Sequence, residues 1–337
     1  MKLKQLQKQL RSRKLDACLI YSNDPNFYYL VQERIDDAVL YIPAHGKPSV
    51  CINRLGDYNG RFRKRTVTKE KGITWLLKDS GCKTLGINEA TLSVKQYKVL
   101  KKFCKLRTVN SELTALRLEK TPLELGYIRE ACKISCKIIK KLFDSFDFKT
   151  EAQVRQFLKI GAIREHCEPA FEPVVASASN AAIPHYAGDS RIKRGLLLVD
   201  FGVWYKGYCS DITRMAYYKE ITNKERQTYS RFLAAQEHAI SLCKEGVRFA
   251  DIEKAVRKML GKDARYFSHG LGHGLGIEIH EAPWASVKSD DRTGENSPFT
   301  IEPGYYHKFG LRIEDTVVLQ NGKMRVLTPL TKELIKL

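Results

Sequence analysis

The amino-acid sequence predicts an α/β (α+β) protein with two domains, over residues 1–115 and 116–337. Three observations lead to this prediction. Short apolar runs alternate with helical patterns in the first third of the chain, as in compact mixed α/β domains. A Thr-Pro-Leu-Glu capping box then begins a long helix at residues 121–124. Beyond it, two helices followed by strands occur twice, which predicts two similar halves over residues 121–218 and 222–325.

In the first domain we expect three helices and five strands. The helices are predicted over residues 1–14, 74–79 and 93–104, and the strands over 17–21, 38–43, 48–53, 84–88 and 106–109. This domain has no Gly-rich phosphate loop and no cluster of His, Cys or acidic residues. It therefore indicates no chemistry of its own.

In the second domain we expect four helices, and capping boxes begin the first three of them. The helices are predicted over residues 122–143, 151–166, 223–244 and 249–260. If the two halves are alike, a site would lie between them, lined by strands from both.

The composition is that of a soluble globular protein, with 43% apolar and 28% charged residues. No apolar run reaches the roughly 18 residues of a membrane-spanning helix, and the basic N-terminus lacks the apolar segment of a secretory signal. The nine cysteines are scattered and form no Cys-x-x-Cys pair. These features predict a reduced, cytoplasmic protein without a membrane anchor.

The net charge of +20 lies mostly in the first third of the chain. Residues 1–120 hold 25 Lys and Arg against 11 Asp and Glu, and the densest run is Arg-Phe-Arg-Lys-Arg at residues 61–65. No nucleic-acid-binding motif accompanies this charge. We therefore expect a solvated basic surface that would favour acidic partners in general, and no nucleic-acid partner.

The stretch from Leu196 to Arg214 reads as a β-hairpin whose first strand is buried. With the turn at Tyr205 and Lys206, the register would place Asp200 directly opposite Asp211, with Cβ atoms roughly 5 Å apart. Two carboxylates at that distance repel each other unless a proton or a cation lies between them. The hairpin alone leaves both alternatives open.

A second facing pair of acids is predicted near the C-terminus. Glu302 and Glu314 are symmetric about Lys308, so a tight turn there would place them opposite each other. The alternative is ordinary alternation, with Ile301 and Ile313 in the core and both glutamates in water.

Three of the eight histidines, at positions 269, 273 and 280, fall within a Gly-rich stretch. Its alternate glycines disfavour a helix and allow close approach of backbone and ligand. The stretch is not a His-Glu-x-x-His zinc helix. We expect site residues here. His185, on a loop of small residues, is by itself a weak signal.

Four acids with a single imidazole suit Mn²⁺ or Co²⁺ better than a thiolate-type zinc site. They carry enough charge for two cations, which together can lower the pKa of a shared water and polarise a carbonyl group. Such a site would hydrolyse its substrate without a protein nucleophile. Consistently, the chain has no Gly-x-Ser-x-Gly motif.

Four motifs stand here in a characteristic order: Asp-Phe-Gly with Ser-Asp-Ile-Thr-Arg, then His-Gly-x-Gly-His-x-x-Gly-x-x-x-His-Glu, Ile-Glu-Pro-Gly and Arg-Ile-Glu-Asp. With them the sequence resembles the prolidase/aminopeptidase P family of metallopeptidases over residues 121–337. The resemblance implies a pseudo-two-fold pita-bread domain preceded by a creatinase-type N-terminal domain. It also implies a homodimer.

The resemblance further implies roles for single residues. Two divalent ions per subunit, manganese or cobalt first with zinc or iron as alternatives, would be bound by Asp200, Asp211, His273, Glu302 and Glu314. His185 and His280 would contact the scissile amide, Glu302 would also transfer protons, and His269 and Arg312 would contact substrate. One departure is Ala178, where family members usually have glycine.

The function expected from the resemblance is a dinuclear-metal hydrolase that removes the N-terminal residue preceding proline. We favour an Xaa-Pro aminopeptidase, because the short stretch from Glu302 to Glu314 would leave the cleft open. The alternative is a prolidase restricted to Xaa-Pro dipeptides, which needs a group such as Arg312 to hold the terminal carboxylate. An alternative of another class is a non-catalytic binding module on the same fold, although all five ligand positions are filled.

Overall fold

The computed structural model describes residues 2–68 and 70–337. These form two compact units, which divide between Arg117 and Leu118. Helices and strands are mixed in both units, which confirms the α/β (α+β) fold class. Within the described ranges, no helix combines the length and the apolar character needed to cross a membrane.

The first unit is built on a mixed six-stranded sheet with the order β4-β3-β2-β1-β5-β6. Its strands are β1 (Ala17–Tyr21), β2 (Val39–Pro43), β3 (Ser49–Ile52), β4 (Arg63–Thr66), β5 (Thr84–Ile87) and β6 (Lys105–Thr108). Its helices are α1 (Lys2–Ser12), α2 (Pro25–Val31), α3 (Ile73–Asp79), α4 (Val94–Leu100) and α5 (Asn110–Leu118), the last of which ends at the division between the units.

The sequence did not predict α2, β4 and α5. Helix α2 has the expected start, because the side chain of Asp24 accepts a hydrogen bond from the Asn26 amide and Pro25 follows at the first helical position. It is only seven residues long and lacks helical periodicity. Strand β4 consists of Arg-Lys-Arg-Thr at the sheet edge and is largely exposed, so no apolar alternation marks it.

The second unit contains four long helices and fourteen strands within the described residues. The helices are α6 (Pro122–Asp144), α7 (Glu151–Arg164), α8 (Asn223–Leu242) and α9 (Phe249–Leu260). The strands of its first half are β7 (Glu168–Pro169), β8 (Val174–Ser177), β9 (Gly195–Phe201), β10 (Val203–Tyr205), β11 (Tyr208–Cys209) and β12 (Ile212–Tyr218). The later strands are β13 (Gly272–Gly274), β14 (Glu281–Ala285), β15 (Phe299–Ile301), β16 (Gly304–Tyr306), β17 (Gly310–Arg312), β18 (Asp315–Gln320), β19 (Lys323–Val326) and β20 (Ile335–Lys336).

Each half begins with two helices and continues into strands, as predicted. The two larger sheets have the orders β20-β12-β9-β8 and β14-β13-β15-β18-β19. The strand pairs of these two sheets are antiparallel, except that β20 pairs with β12 in parallel. Helices α6, α7 and α8 begin at the predicted capping boxes, where Thr121, Thr150 and Thr222 each accept a hydrogen bond from the third helical amide.

Strand β9 is buried along its whole length because both faces of its sheet are covered. Leu197 and Val199 pack with residues of α6 and α7, whereas Leu196 and Leu198 pack with residues of α8 and α9. A continuous apolar run is the pattern expected of a strand buried on both faces. Any charge at the end of β9 therefore lies at the edge of a large apolar core.

The predicted register of the first hairpin is wrong by two residues, because the turn lies one position later in the chain than expected. The turn lies at Lys206 and Gly207, with φ values of 47° and 90°, so that Tyr205 pairs with Tyr208 and Asp200 pairs with Thr213. A two-residue hairpin turn of this kind needs positive φ at both positions, which the Gly207 position satisfies. Asp211 is therefore a diagonal neighbour of Asp200 and not its direct partner.

The predicted register of the second hairpin is confirmed. Gly304 pairs with Arg312, and Tyr306 pairs with Gly310, which centres the turn on Lys308. The Ile313 amide donates to the Pro303 carbonyl, which continues the same register toward the two acids. The alternative with both glutamates in water is wrong, because Glu314 is 2% exposed and the Glu302 side chain is 13% exposed.

Gly202 lies between β9 and β10, where a Cβ atom would overlap the carbonyl oxygen of Ser210. We expect Gly202→Ala to force the two strands of the hairpin apart and to lower the free energy of unfolding by about 1–3 kcal/mol. Gly126→Ala is the matched control, because Gly126 is exposed on α6 and a Cβ there meets nothing within 4 Å. The Gly126→Ala substitution should raise the free energy of unfolding by about 0.5–1 kcal/mol. Chemical denaturation measures both, and equal effects would contradict this account of the hairpin.

Candidate metal centre and active site

All the predicted site residues line one cavity of about 750 Å³ in the second unit. Those that line it are His185, Asp200, Asp211, His269, His273, His280, Glu302, Arg312 and Glu314. The structure thus brings together side chains separated by up to 129 positions in the sequence (314 − 185).

The five predicted metal ligands come from strand ends in both halves of the unit. Asp200 is near the end of β9, and Asp211 directly precedes β12. His273 is on β13, Glu302 directly follows β15, and Glu314 directly precedes β18. Strand ends of two sheets therefore supply the whole cluster.

Three of these side chains form the centre of the cluster. Asp211, His273 and Glu314 each offer one ligand atom, and these atoms all lie within 4.8 Å of one another. All three residues are buried. Burial, together with the neighbouring carboxylates, raises the pKa of Asp211 and of Glu314 well above the usual range. The carboxylates therefore repel one another unless a proton or a cation lies between them.

The orientation of His273 sharpens this conclusion. Its Nδ1 lies 3.1 Å from the carbonyl oxygen of Gly274, which can only accept, so Nδ1 carries the proton. Burial lowers the pKa of His273 to about 3, so the ring is neutral. Its Nε2 therefore presents a lone pair to Glu302 Oε1 at 3.3 Å and to Asp211 Oδ2 at 3.6 Å. Three acceptors that face one another in this way are the environment of a cation.

Asp200 is the fifth of the predicted metal ligands and lies beside the other four. Its Oδ2 accepts a hydrogen bond of 2.5 Å from Arg312 Nη2, whereas its Oδ1 is buried without a hydrogen-bond partner among the described residues. An orphaned carboxylate oxygen beside two other buried acids is unfavourable unless it has a ligand. Four carboxylates and one neutral imidazole thus fit divalent cations that prefer oxygen ligands.

Two threonines support the cluster, and the sequence analysis missed both. The Thr213 hydroxyl accepts from Arg312 Nε at 3.0 Å and donates to Glu314 Oε2 at 2.7 Å. The Thr300 hydroxyl accepts from the His273 amide at 3.0 Å and donates to Glu302 Oε1 at 3.3 Å. Each threonine thus fixes the orientation of one glutamate without neutralising its charge.

Tyr306 is a further residue that the sequence analysis missed. Its hydroxyl accepts from Arg312 Nη1 at 3.1 Å and donates to His269 Nε2 at 2.9 Å. His269 Nδ1 donates to the Gly270 carbonyl, and burial lowers the pKa of His269 to about 4, so this ring is neutral as well. Arg312 and His269 are therefore joined through Tyr306.

A signal for these three residues was present in the sequence. Side chains two apart on a strand point to the same face. Thr213 is two residues from Asp211, Thr300 is two from Glu302, and Tyr306 is four from Glu302. Strand alternation therefore indicates these three residues as neighbours of the predicted ligands on the same face.

His280 lies at the exposed side of the cluster, with its ring edge-on to His273 at a centroid distance of 4.3 Å. A buried ion pair holds the loop that carries it, because Lys120 Nζ donates to Oε1 of the adjacent Glu281 at 2.9 Å. The other carboxylate oxygen of Glu281 accepts from the Glu278 amide at 3.3 Å. The backbone position of His280 is thus tied to the segment that precedes α6.

His185 lies on an exposed loop and nevertheless lines the same cavity. A short 3₁₀ turn, Ala178–Ala182, precedes this loop, and Ala178 has a φ of 52°. This is the left-handed region that favours glycine, which agrees with the expectation of glycine at this position.

Two family models match the chain. Residues 126–321 match metallopeptidase family M24, and residues 2–118 match the creatinase/prolidase N-terminal domain. The first match alone covers more than half of the 337 residues.

Individual relatives match over nearly the full length. The Xaa-Pro dipeptidase of Pyrococcus furiosus is 33% identical over 314 residues, which cover 89% of this chain and 87% of the relative. The crystal structure of the prolidase from Pyrococcus horikoshii OT3 has a TM-score of 0.92 at 28% identity, covering 99% of each chain. The X-Pro aminopeptidase from Thermotoga maritima has a TM-score of 0.87 at 27% identity, covering 97% of this chain and 100% of that one.

A two-half domain with four acids and an imidazole at its centre, matched in this way, is a metallopeptidase with the pita-bread fold. The chain belongs to metallopeptidase family M24, within the prolidase and Xaa-Pro peptidase group. Membership in this family implies divalent metal ions and peptide substrates. It also supports an enzyme over the alternative of a non-catalytic binding module.

Replacing one central acid by its isosteric amide tests the cluster. We expect Asp211→Asn to bind fewer than two divalent ions per chain and to lose hydrolytic activity. The metal-free variant should be more stable than the metal-free wild type by about 1 kcal/mol or more, since one buried, repelling carboxylate is gone.

Metal analysis after dialysis and thermal unfolding measure the two effects. Asp251→Asn is the matched control, because Asp251 is exposed and paired with Arg248. Retention of two ions by Asp211→Asn would contradict the assignment of Asp211 as a ligand.

Proposed function

We propose that this chain is an Xaa-Pro dipeptidase that uses two divalent metal ions, with manganese or cobalt ahead of zinc or iron. The observation that carries the proposal is the set of mutually facing acceptors at Asp211, His273 and Glu314. The ligands would be Asp200, Asp211, His273, Glu302 and Glu314. When bound, the ions polarise the substrate carbonyl and lower the pKa of water.

The remaining steps fall to the side chains of the cavity. His280 and His185 would face the scissile amide, where the N–H group of a neutral imidazole can donate a hydrogen bond to the oxygen that gains negative charge. Burial lowers the pKa of His280, which favours this neutral form. Glu302 is our candidate for taking up a proton, since its side chain is 13% exposed to the cavity against 6% for Asp211.

Arg312 would act mainly by holding Asp200 and the Tyr306–His269 pair in place. It is 4% exposed, and its guanidinium already donates to four acceptors. Few of the N–H donors of Arg312 remain for a substrate, so its contribution to substrate binding would be indirect.

The cavity wall offers a surface for the proline ring. Phe171, Pro173, Ile279 and Trp284 line the cavity together with the cluster. An apolar wall of this kind suits a ring that has no hydrogen-bond donor.

Three observations bear on substrate length. The Pyrococcus relatives are named Xaa-Pro dipeptidase and prolidase, which supports the dipeptide reading. The short hairpin of β16 and β17, with three residues in each strand, and the cavity volume favour our initial expectation of an aminopeptidase that accepts longer peptides. We place that reading second.

A homodimer, a cytoplasmic location and the absence of a nucleic-acid partner stay predictions. All nine cysteines are free thiols, which supports a reducing compartment.

The test is a metal-loaded hydrolysis assay with three matched substrates: an Xaa-Pro dipeptide, the Xaa-Pro-Yaa tripeptide and an Xaa-Ala dipeptide. We expect kcat/KM for Xaa-Pro to exceed that for either other substrate by about tenfold or more. Equal or faster cleavage of the tripeptide would support the aminopeptidase instead. Cleavage of no proline-containing peptide would contradict both readings.

A further inference from the structure

His185 lies on a loop that extends over residues 178–189, between β8 and β9. The tip of this loop, residues 184–187, lines the cavity, although His185 itself is exposed. Arg312 contacts the tip at long range, with Nη1 3.4 Å from the carbonyl oxygen of Pro184. A side chain on an exposed loop is mobile unless the loop is fixed at its base. The contacts at the base of this loop therefore decide where His185 lies.

Glu151, the first residue of α7, joins the two ends of the loop. Its Oε1 accepts hydrogen bonds from the Ser177 amide at 2.7 Å and from the Ser177 hydroxyl at 2.8 Å. Its Oε2 accepts from the amide and from the hydroxyl of Ser190, both at 3.1 Å. Ser177 directly precedes the loop and Ser190 directly follows it. A single carboxylate thus closes the loop.

The side-chain amide of Asn180 extends this contact toward the tip. Its Nδ2 lies 3.0 Å from Glu151 Oε1 and 3.0 Å from the hydroxyl oxygen of Tyr186. Lys193 Nζ can only donate and lies 3.0 Å from Asn180 Oδ1, which fixes the orientation of the amide. Because Tyr186 follows His185 directly, a path of hydrogen bonds leads from Glu151 to the neighbour of His185.

The environment of Glu151 calls for a carboxylate and not only for a polar side chain. Glu151 is 0% exposed, and a buried carboxylate is strongly unfavourable unless hydrogen-bond donors surround it. The loop supplies those donors, and each carboxylate oxygen faces a backbone N–H group, of Ser177 or of Ser190. The amide group of a glutamine would direct its NH₂ at one of these two donors, whichever way it turned.

We propose that Glu151 is a positioning residue for the reaction, which closes the loop and thereby holds the His185 imidazole against the substrate. This inference rests on the proposed function, in which His185 faces the scissile amide. Glu151 is not among the residues that line the cavity. Its effect on the reaction therefore passes through the loop.

The test is a double-mutant cycle with His185→Ala on the metal-loaded enzyme, assayed with an Xaa-Pro dipeptide. Glu151→Gln keeps the size of the side chain and removes one of the two acceptor oxygens, whereas Glu151→Asp keeps both. Glu124→Gln is the matched control, since Glu124 is also a buried glutamate in the first turn of a helix. Its carboxylate binds the Thr121 amide and the Tyr208 hydroxyl, neither of which lines the cavity.

We expect Glu151→Gln to lower kcat about tenfold or more, to change KM less than about threefold and to retain two metal ions per chain. In the His185→Ala background the same substitution should lower kcat less than about twofold, because the side chain that Glu151 holds is already absent. Glu151→Asp should recover part of the loss. Glu124→Gln should leave kcat within about twofold in both backgrounds.

An equal loss of kcat in both backgrounds would indicate a structural effect alone and would overturn the proposal. An unchanged kcat in folded Glu151→Gln enzyme would overturn it as well. If Glu151→Gln does not fold, Asn180→Ala takes its place in the cycle with the same two outcomes. That substitution removes the link to Tyr186 at a half-buried position of the loop.

If the wild type cleaves no Xaa-Pro peptide, the proposed function fails separately. Amide hydrogen exchange of residues 178–189 in the metal-free protein then decides the role of Glu151. Exchange about tenfold faster or more in Glu151→Gln than in the wild type supports the proposal, and unchanged exchange overturns it.

Discussion

The second unit is built around a charge problem: three buried acceptors face one another across a few ångströms. Glu314 and Asp211 are both more than nine-tenths buried, and the lone pair of a neutral His273 points toward the same space. In a low-dielectric interior such an arrangement is strongly unfavourable without a compensating positive charge. We therefore interpret the fold as a scaffold for divalent cations. The other residues of the site hold the acids in position around them.

The surrounding side chains orient Glu302 and Glu314 without pairing their charge, whereas Asp200 is paired with Arg312. Thr213 and Thr300 donate one hydrogen bond each to Glu314 and Glu302, which fixes the carboxylates and leaves their remaining lone pairs free. The residues that follow Thr213 and Glu314 form a full ion pair. Arg214 Nη2 lies 2.6 Å from Asp315 Oδ1, and both side chains are 1% exposed. Although burial alone would raise it, Arg214 and Lys332 hold the pKa of Asp315 below its usual range.

That ion pair also joins the two halves of the unit. Arg214 on β12 donates to the carbonyl of Glu314 at 2.5 Å and pairs with Asp315 on β18. Asp211 and Glu314 are the residues just before these two strands. The structure thus separates two tasks: a neutralised pair fixes the strands, and the adjacent acids keep the charge that cations require.

Much of the fold could be predicted from the sequence, because its strongest signals are local. Capping boxes predicted the starts of three helices, and the apolar run of β9 predicted a buried strand. The edge strand β4 could not be predicted, since an exposed Arg-Lys-Arg-Thr segment carries no apolar pattern. The register of the first hairpin differs from the prediction because its turn is formed by Lys206 and Gly207, both with positive φ, and not by Tyr205 and Lys206.

The candidate site divides in the same way. Residues within motifs were proposed from the sequence, and the structure places all of them on one cavity. Thr213, Thr300 and Tyr306 were accessible only through strand parity. Lys120 could not be predicted, because it pairs with Glu281, next to His280, from a segment distant in sequence from the motifs. That contact depends on tertiary packing that no local pattern records.

The most direct test of the central claim is thermal unfolding of the metal-stripped protein in the presence and absence of Mn²⁺. If the facing acids exist to hold cations, Mn²⁺ should stabilise the folded chain, by about 2.7 kcal/mol at a hundredfold excess over its dissociation constant, with saturation at two ions per chain. An unfolding transition that Mn²⁺ does not move would contradict the account.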